Sequence, residues 1–319
     1  MDIDYLLLLQ EFRNGAGSFL APFMMWISDF AISFWPLAIM TMIYWSIDRK
    51  AGKRFLLGFN LGILANGFLK LTFCIYRPWI RDARVIPYGN SKVSATGYSF
   101  PSGHSTWATS TFGHIGFWLN KNRQKLLSIV CFMIVILVLF SRNYLGVHTP
   151  QDVIVGFIST ALMCFLAEKI EDYCDKDHKR DKYVLIGGLL ICIILIAYYE
   201  LKSYPIVYLD DGSLLVDPNK MKGDSYQGIG LISSYVICRY FERRNFQFDN
   251  ELKWKDRFII SIFALIPLYI WMMPVASFLR NNLSSSLAQF IEFFIFYIYV
   301  LIIVPLCMKI INNKYIKKS

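Results

Sequence analysis

The sequence predicts an all-α polytopic membrane protein, a helical bundle of about nine transmembrane helices. Three observations carry that reading. Hydrophobic residues make up 55% of the 319, charged residues only 18%, and the mean hydropathy is +0.42. Several runs with hardly a charge approach the length that crosses a bilayer. The net charge of +10 is not gathered into a patch with exposed aromatics; its Lys and Arg residues are spread over short segments between the apolar runs. That spread argues against a nucleic-acid partner and for the lipid bilayer as the chain's surroundings.

Residues 1–21 read as an interfacial segment, because Tyr5 and Leu6 to Leu9 lie between Asp2, Asp4, Glu11 and Arg13, too short and too charged to span. No basic n-region or small-residue cleavage site is present there, so no removable signal peptide is expected. Spans follow at 22–47, 55–76, 103–119, 126–141, 152–167, 183–200, 227–241, 258–278 and 287–308. Within the second, Gly58 and Gly62 form a small-xxx-small pattern that suits close helix packing. His114, in the third, reads as a buried histidine with a partner, and His178 as a solvated loop residue. The segment 201–226, with Asp210, Asp211, Asp217 and Asp224, reads as a turn-rich outer loop without calcium-ligand spacing. Span 227–241 is short and carries Gly228, Gly230, Ser233 and Ser234. The seven cysteines read as free thiols, with no zinc spacing among them.

With nine spans the termini lie on opposite sides. The segments 48–54, 120–125, 168–182, 239–257 and the tail from Lys309 then share one side and hold two-thirds of the 33 Lys and Arg residues. By the positive-inside rule that side is cytoplasmic and the N-terminus is outside. The stretches 70–104 and 141–152 therefore meet on the non-cytoplasmic side.

Those two stretches hold the chemistry. Ser99–Phe100–Pro101–Ser102–Gly103–His104–Ser105 turns a polar loop into an apolar run, which gives a helix start with free N–H groups, an anion site, and His104 in its first turn. Lys70 and Arg77 are two helical turns apart and share a face; a cation pair at the edge of a span suits an anion between them, or snorkels to headgroups. In Ser141–Arg142 to Asp152, His148 and Asp152 are four apart, so the carboxylate can fix the imidazole's tautomer. Thr149 to Asp152 also fits a capping box, and the two roles are compatible. Three cations, a Ser–Gly helix start, two histidines and one carboxylate suit a phosphate-like oxyanion, a nucleophile and a general acid, without metal or cofactor.

The same residues resemble the three signature blocks of the type 2 phosphatidic acid phosphatase (PAP2) superfamily. They are Lys70-x6-Arg77–Pro78, Pro101–Ser102–Gly103–His104, and Ser141–Arg142-x5-His148-x3-Asp152. The resemblance implies a PAP2-type core in which His148 forms a phosphohistidine, Asp152 orients it, and His104 protonates the leaving alcohol and then activates water. Lys70, Arg77, Ser102, Gly103 and Arg142 would cradle the phosphate. The layout, with an outward N-terminus and about four spans after the last block, is similar to the glucose-6-phosphatase and sphingosine-phosphate phosphatase branches. The expected organisation is an interfacial segment at 1–21, a catalytic core at 22–167 and additional helices at 168–319. The expected activity is hydrolysis of a phosphomonoester, foremost a lipid phosphate, at the outer face of a bacterial plasma membrane. A polyprenyl diphosphate or sugar phosphate served by the same chemistry, and a non-catalytic lipid-phosphate binder or transporter, are the alternatives. The pair of histidines implies a bell-shaped pH dependence.

Overall fold

The computed structural model describes residues 2–15, 19–93, 95, 97–245 and 252–316. Met1 and residues 16–18 of the expected interfacial segment, 246–251 of an expected cytoplasmic loop and 317–319 of the expected tail lie outside the described residues. Among those described, every named element is helical.

Helix α1 is Asp2–Gly15, and α2 (Leu20–Ala31) meets α3 (Phe34–Ile47) at a bend of 48°. Ser33 makes the bend by capping α3, its hydroxyl accepting from the Trp35 N–H at 3.4 Å while donating to the Phe30 carbonyl at 2.8 Å. The expected span 22–47 is thus a broken one. Asp48 caps α4 (Arg49–Phe73) by accepting from Ala51 N–H at 3.0 Å, and Cys74 ends it in the left-handed region at φ 49. Helix α5 runs through 103–121 with a π turn at Thr109–Gly113, and α6 is Lys125–Tyr144. Helix α7 (Pro150–Asp175) opens with proline in its first turn and the Thr149/Asp152 capping box read from the sequence. There follow α8 (Asp181–Leu201), α9 (Pro218–Asn245), α10 (Trp254–Asn282) and α11 (Ser285–Asn313). Pro267 and Pro274 interrupt the hydrogen-bond ladder of α10 on either side of the start of its π turn, Trp271–Val275.

Among the described residues six helices are long and apolar enough to cross a membrane (the first of them counted as α4 through Arg81), and the bent α2–α3 pair makes a seventh. The remaining two expected spans, α5 and α9, are helices about 28 and 42 Å long. They are more polar than the others because the protein, not lipid, covers them. Thr106, Thr109, Ser110 and Thr111 on α5 are buried, as are Ser225, Ser233, Ser234, Arg239 and Glu242 on α9.

The core is centred on α4, which packs against α7 on one side and α9 on another. The small residues of α4 set those distances. A Cβ on Gly58 would stand 2.7 Å from the His114 ring, and one on Gly62 would stand 3.1 Å from Thr160. Gly228 of α9 lies so close that a Cβ there would meet the Leu64 backbone at 2.8 Å. His114 is buried and has its partner, Glu168, at 2.9 Å.

The two ends of the bundle differ. One end collects ion pairs: Lys53 with Glu242, Arg54 with Glu168 and Asp172, Arg239 with Glu171 and Asp181, and Arg243 with Asp175. The other end gathers the C-terminus of α4, the N-termini of α5 and α7, and the C-terminus of α6. Helix α1 lies across that end. Its buried Arg13 donates to the carbonyls of Tyr144 (3.0 Å) and Ile86 (2.7 Å), and Arg81 pairs with Asp2 at 2.8 Å.

Candidate active site

The turn between α6 and α7 positions His148. Leu145 N–H returns to the Ser141 carbonyl, Gly146 takes φ 75, and the N–H groups of Val147 and His148 both return to the Arg142 carbonyl. A side chain is strained at that φ, so the glycine is what allows the chain to double back. Asn143 then locks the turn by donating to the His148 carbonyl at 2.9 Å.

Around the imidazole the contacts are ordered. Nδ1 lies 3.3 Å from Asp152 Oδ2 and 3.4 Å from Ser99 Oγ. Ser99 donates its hydroxyl to the same Oδ2 at 2.5 Å, and the Thr149 N–H adds a bond of 2.8 Å. One carboxylate oxygen therefore caps α7 and faces His148 at once, so the two readings of Asp152 coexist. A proton on Nδ1 satisfies this carboxylate and leaves Nε2 as the basic nitrogen. Nε2 is 2.8 Å from Arg77 Nη1. Burial first, and then the Arg77 guanidinium, hold the His148 imidazole well below the usual histidine range, against the opposing pull of Asp152. His148 is accordingly neutral near pH 7, the form in which a ring nitrogen can attack phosphorus.

The cations are anchored through carbonyls. Arg77 donates through Nε to Gly97 (3.2 Å) and through Nη1 to Val147 (3.1 Å); Lys70 donates to the carbonyls of Tyr98 (3.1 Å) and Pro101 (3.0 Å). Arg142 donates from Nη1 to Ser28 Oγ at 2.6 Å, while its Nε and Nη2 are buried without a partner. An arginine fork with two buried, unsatisfied N–H groups is ready-made for an oxyanion. Asn66 supports the second block by donating to Thr106 Oγ1 at 3.0 Å and to the Pro101 carbonyl.

Ser102 caps α5; its oxygen accepts from Ser105 N–H (3.3 Å) and Ser105 Oγ (2.9 Å), and its own N–H donates to the Asp152 carbonyl at 2.9 Å. A Cβ on Gly103 would meet nothing within 4 Å, so the helix start is open on that side. His104 is buried, and its Nε2 has no hydrogen-bond partner.

Lys70, Arg77, Gly103, His104 and His148 line one cavity of about 660 Å³. The three separately encoded stretches therefore meet, with both imidazoles opening onto the same space. Ser102, Arg142 and Asp152 are not among the described residues that line it; Asp152 stands behind His148, and Ser102 is occupied with its cap. Sequence reasoning missed Ser99, although it lies in the stretch that drew attention to His104. It also missed four polar lining residues from the later helices, Asp224, Gln227, Arg280 and Gln289. Asp224 belongs to α9, not to an outer loop. No periodic apolar pattern marks those four positions, since a wall of a polar cavity needs none.

Comparison with known proteins bears on the same region. The PAP2 superfamily matches residues 51–175. Phosphatidylglycerophosphatase B of Bacillus subtilis is similar, 34% identical over 118 residues that cover 35% of this chain and 57% of the relative. Undecaprenyl-diphosphatase of Sulfolobus acidocaldarius is 29% identical over 136 residues, covering 43% of this chain and 62% of the relative. The chain thus spans less than two-thirds of the length of either relative. No solved structure matches it.

Proposed function

We propose that the chain is a membrane phosphatase of the PAP2 type, whose family model matches residues 51–175, a phosphoric monoester hydrolase that removes phosphate from a phosphorylated lipid without a metal. The observation that carries this reading is the opening of His104 and His148 onto one cavity beside Lys70 and Arg77. The names of both relatives, one a phosphatidylglycerophosphatase and the other an undecaprenyl-diphosphatase, support a lipid substrate.

In this mechanism the phosphoryl group sits among Lys70, Arg77 and the N–H groups at Gly103, and the unpartnered Nε and Nη2 of Arg142 turn to it from behind the cavity lining. Arg77 Nη1 turns from His148 Nε2 to a phosphoryl oxygen, which frees the nitrogen's lone pair. Nε2 attacks phosphorus as the bond from phosphorus to the alcohol oxygen breaks, and His104 gives that oxygen its proton. The Nδ1 proton stays on His148, whose positive charge Asp152 balances. Water then attacks the phosphohistidine, His104 takes its proton, the P–N bond breaks and phosphate leaves. The cations stabilise charge on the equatorial oxygens throughout.

Replacing His148 with Ala is expected to abolish phosphate release from a detergent-solubilised lipid phosphate while the protein still elutes as a folded particle. Full activity in that variant would refute the mechanism. The charge distribution between spans supports a site facing the non-cytoplasmic side of a bacterial plasma membrane. Hydrolysis by intact cells of a substrate confined to the outer leaflet is the expected result; hydrolysis only after the cells are opened would reverse the orientation.

A further inference from the structure

Four polar residues that line the cavity of the two histidines come from outside residues 51–175. Asp224 and Gln227 reach the cavity from α9, Arg280 from the C-terminal end of α10 and Gln289 from the first turns of α11. Among the described residues the side chains of Asp224, Gln227 and Gln289 make no hydrogen bond, so their polar atoms are available to a ligand. Arg280 is held by Glu292 at 2.6 Å, which compensates its charge. What remains is one carboxylate and two amides, with the Asp224 charge acting across the cavity on Lys70 and Arg77.

The same residues lead onward. A second cavity of about 250 Å³ shares Gln227, Arg280 and Gln289 with the first; it adds Leu37, Met272 and Phe293 along with Ser33 and the Glu292 that holds Arg280. The two cavities meet at Gln227, Arg280 and Gln289, so a ligand held at Lys70 and Arg77 can extend past these hydrogen-bonding groups to Leu37, Met272 and Phe293.

We propose that these later helices form a leaving-group subsite, in which Asp224, Gln227 and Gln289 receive a hydroxyl-bearing alcohol and the second cavity receives the start of its apolar tail. The inference rests on the phosphatase reading and narrows it. Asp224 accepts from a hydroxyl next to the reacting ester, whereas a second phosphate in that place meets a like charge. The subsite therefore selects phosphomonoesters of hydroxylated lipid alcohols against diphosphates of plain polyprenols.

The test compares kcat/KM of the full chain and of Asp224→Asn and Gln289→Ala on phosphatidylglycerophosphate, farnesyl diphosphate and p-nitrophenyl phosphate. In Asp224→Asn the preference for phosphatidylglycerophosphate over farnesyl diphosphate is expected to fall about tenfold or more, because the acceptor weakens and the repulsion is lifted. Gln289→Ala is expected to shift the ratio in the same direction. A ratio within about twofold of the wild type would overturn the subsite. An equal loss on all three substrates would also overturn it, by making Asp224 a counter-charge for Lys70 only. A wild-type chain that releases phosphate from none of the three refutes the phosphatase reading instead. In that event thermal shifts decide the subsite. Glycerol 3-phosphate must stabilise the wild type more than inorganic phosphate does, and that difference must vanish in Asp224→Asn; equal shifts in the wild type would overturn the subsite.

Discussion

Asp152 Oδ2 serves two neighbours, and substitution separates them. Asp152→Asn keeps an oxygen for the Thr149 N–H but removes the charge that faces His148 Nδ1 and accepts from Ser99. Phosphate release should drop by about 10²-fold or more with little change in thermal stability. Thr149→Ala should do the reverse, costing about 1 kcal/mol of stability through the lost cap while the histidine keeps its carboxylate. A phosphate-release assay beside a melting curve in detergent tells the two patterns apart. The pH profile follows from the same imidazole. Because burial and Arg77 hold His148 below the usual histidine range, its neutral form persists as pH falls past the ordinary value of about 6.5. The acid limb of kcat/KM should therefore lie below pH 6.5, and an acid limb above 7 would contradict the assignment. Most of these residues were legible in the sequence because charge, imidazole and glycine in fixed order are rare in an apolar chain. Ser99 was not, since a serine beside a proline has many ordinary uses and only the fold brings it to Asp152.

At the level of helices, the site depends on how closely α7 approaches the start of α5. Gly156 of α7 faces the Ser102 backbone, where a Cβ would come within 2.9 Å of the carbonyl oxygen and 3.2 Å of Ser105 Cβ. Neither neighbour is the free end of a flexible chain. Gly156→Val should therefore move the Ser102–Gly103 corner away from His148, costing about 1–3 kcal/mol in packing and most of the activity. Gly187 is a suitable control, because a Cβ there meets nothing within 4 Å; Gly187→Ala should leave both activity and melting temperature close to wild type. The length of α9 shows where reading by periodicity stops. The expected span 227–241 covers only the middle of Pro218–Asn245. Asp224 and Ser225 look like loop residues in a string of letters. In the fold Ser225 sits against Gly67 of α4, and Asp224 lies near enough to Lys70 and Arg77 to interact with their charges. A helix clad in protein on most sides is freed from the apolar demand that makes lipid-facing helices such as α8 easy to see.

Across the whole molecule, α9 ties the two unlike ends together, with Asp224 at the cavity and Arg239 in the ion-pair cluster. Arg239 is fully enclosed and donates through Nε and Nη2 to the two oxygens of Glu171, both at 2.9 Å, and through Nη1 to Asp181 at 2.6 Å. Tyr235 adds a hydroxyl to Glu171 at 2.9 Å. This knot joins α7, α8 and α9, so it fixes the later helices to the helices of residues 51–175 at the end remote from the histidines. Removing the guanidinium leaves Arg243 as the cation beside both carboxylates, 3.2 Å from Asp181 and 3.8 Å from Glu171; Glu171 loses its close partner, and breaking a buried pair on one side costs about 3–5 kcal/mol. Arg239→Ala should accordingly lower the melting temperature and the yield of folded protein sharply. Because the histidines lie at the other end of α4 and α7, the activity of the molecules that remain folded should stay close to wild type when normalised to monodisperse protein. Substituting both ends of the closer pair, Arg239→Met with Glu171→Gln, should recover part of the stability, since Glu171 is then neutral and Asp181 keeps Arg243 at 3.2 Å. If Arg239→Ala melted like the wild type, the cluster would not be what holds the two halves together, and that load would fall on the α4–α9 packing at Gly67, Leu64 and Gly228 and on the Tyr297–Asn60 and Trp45–Val300 hydrogen bonds.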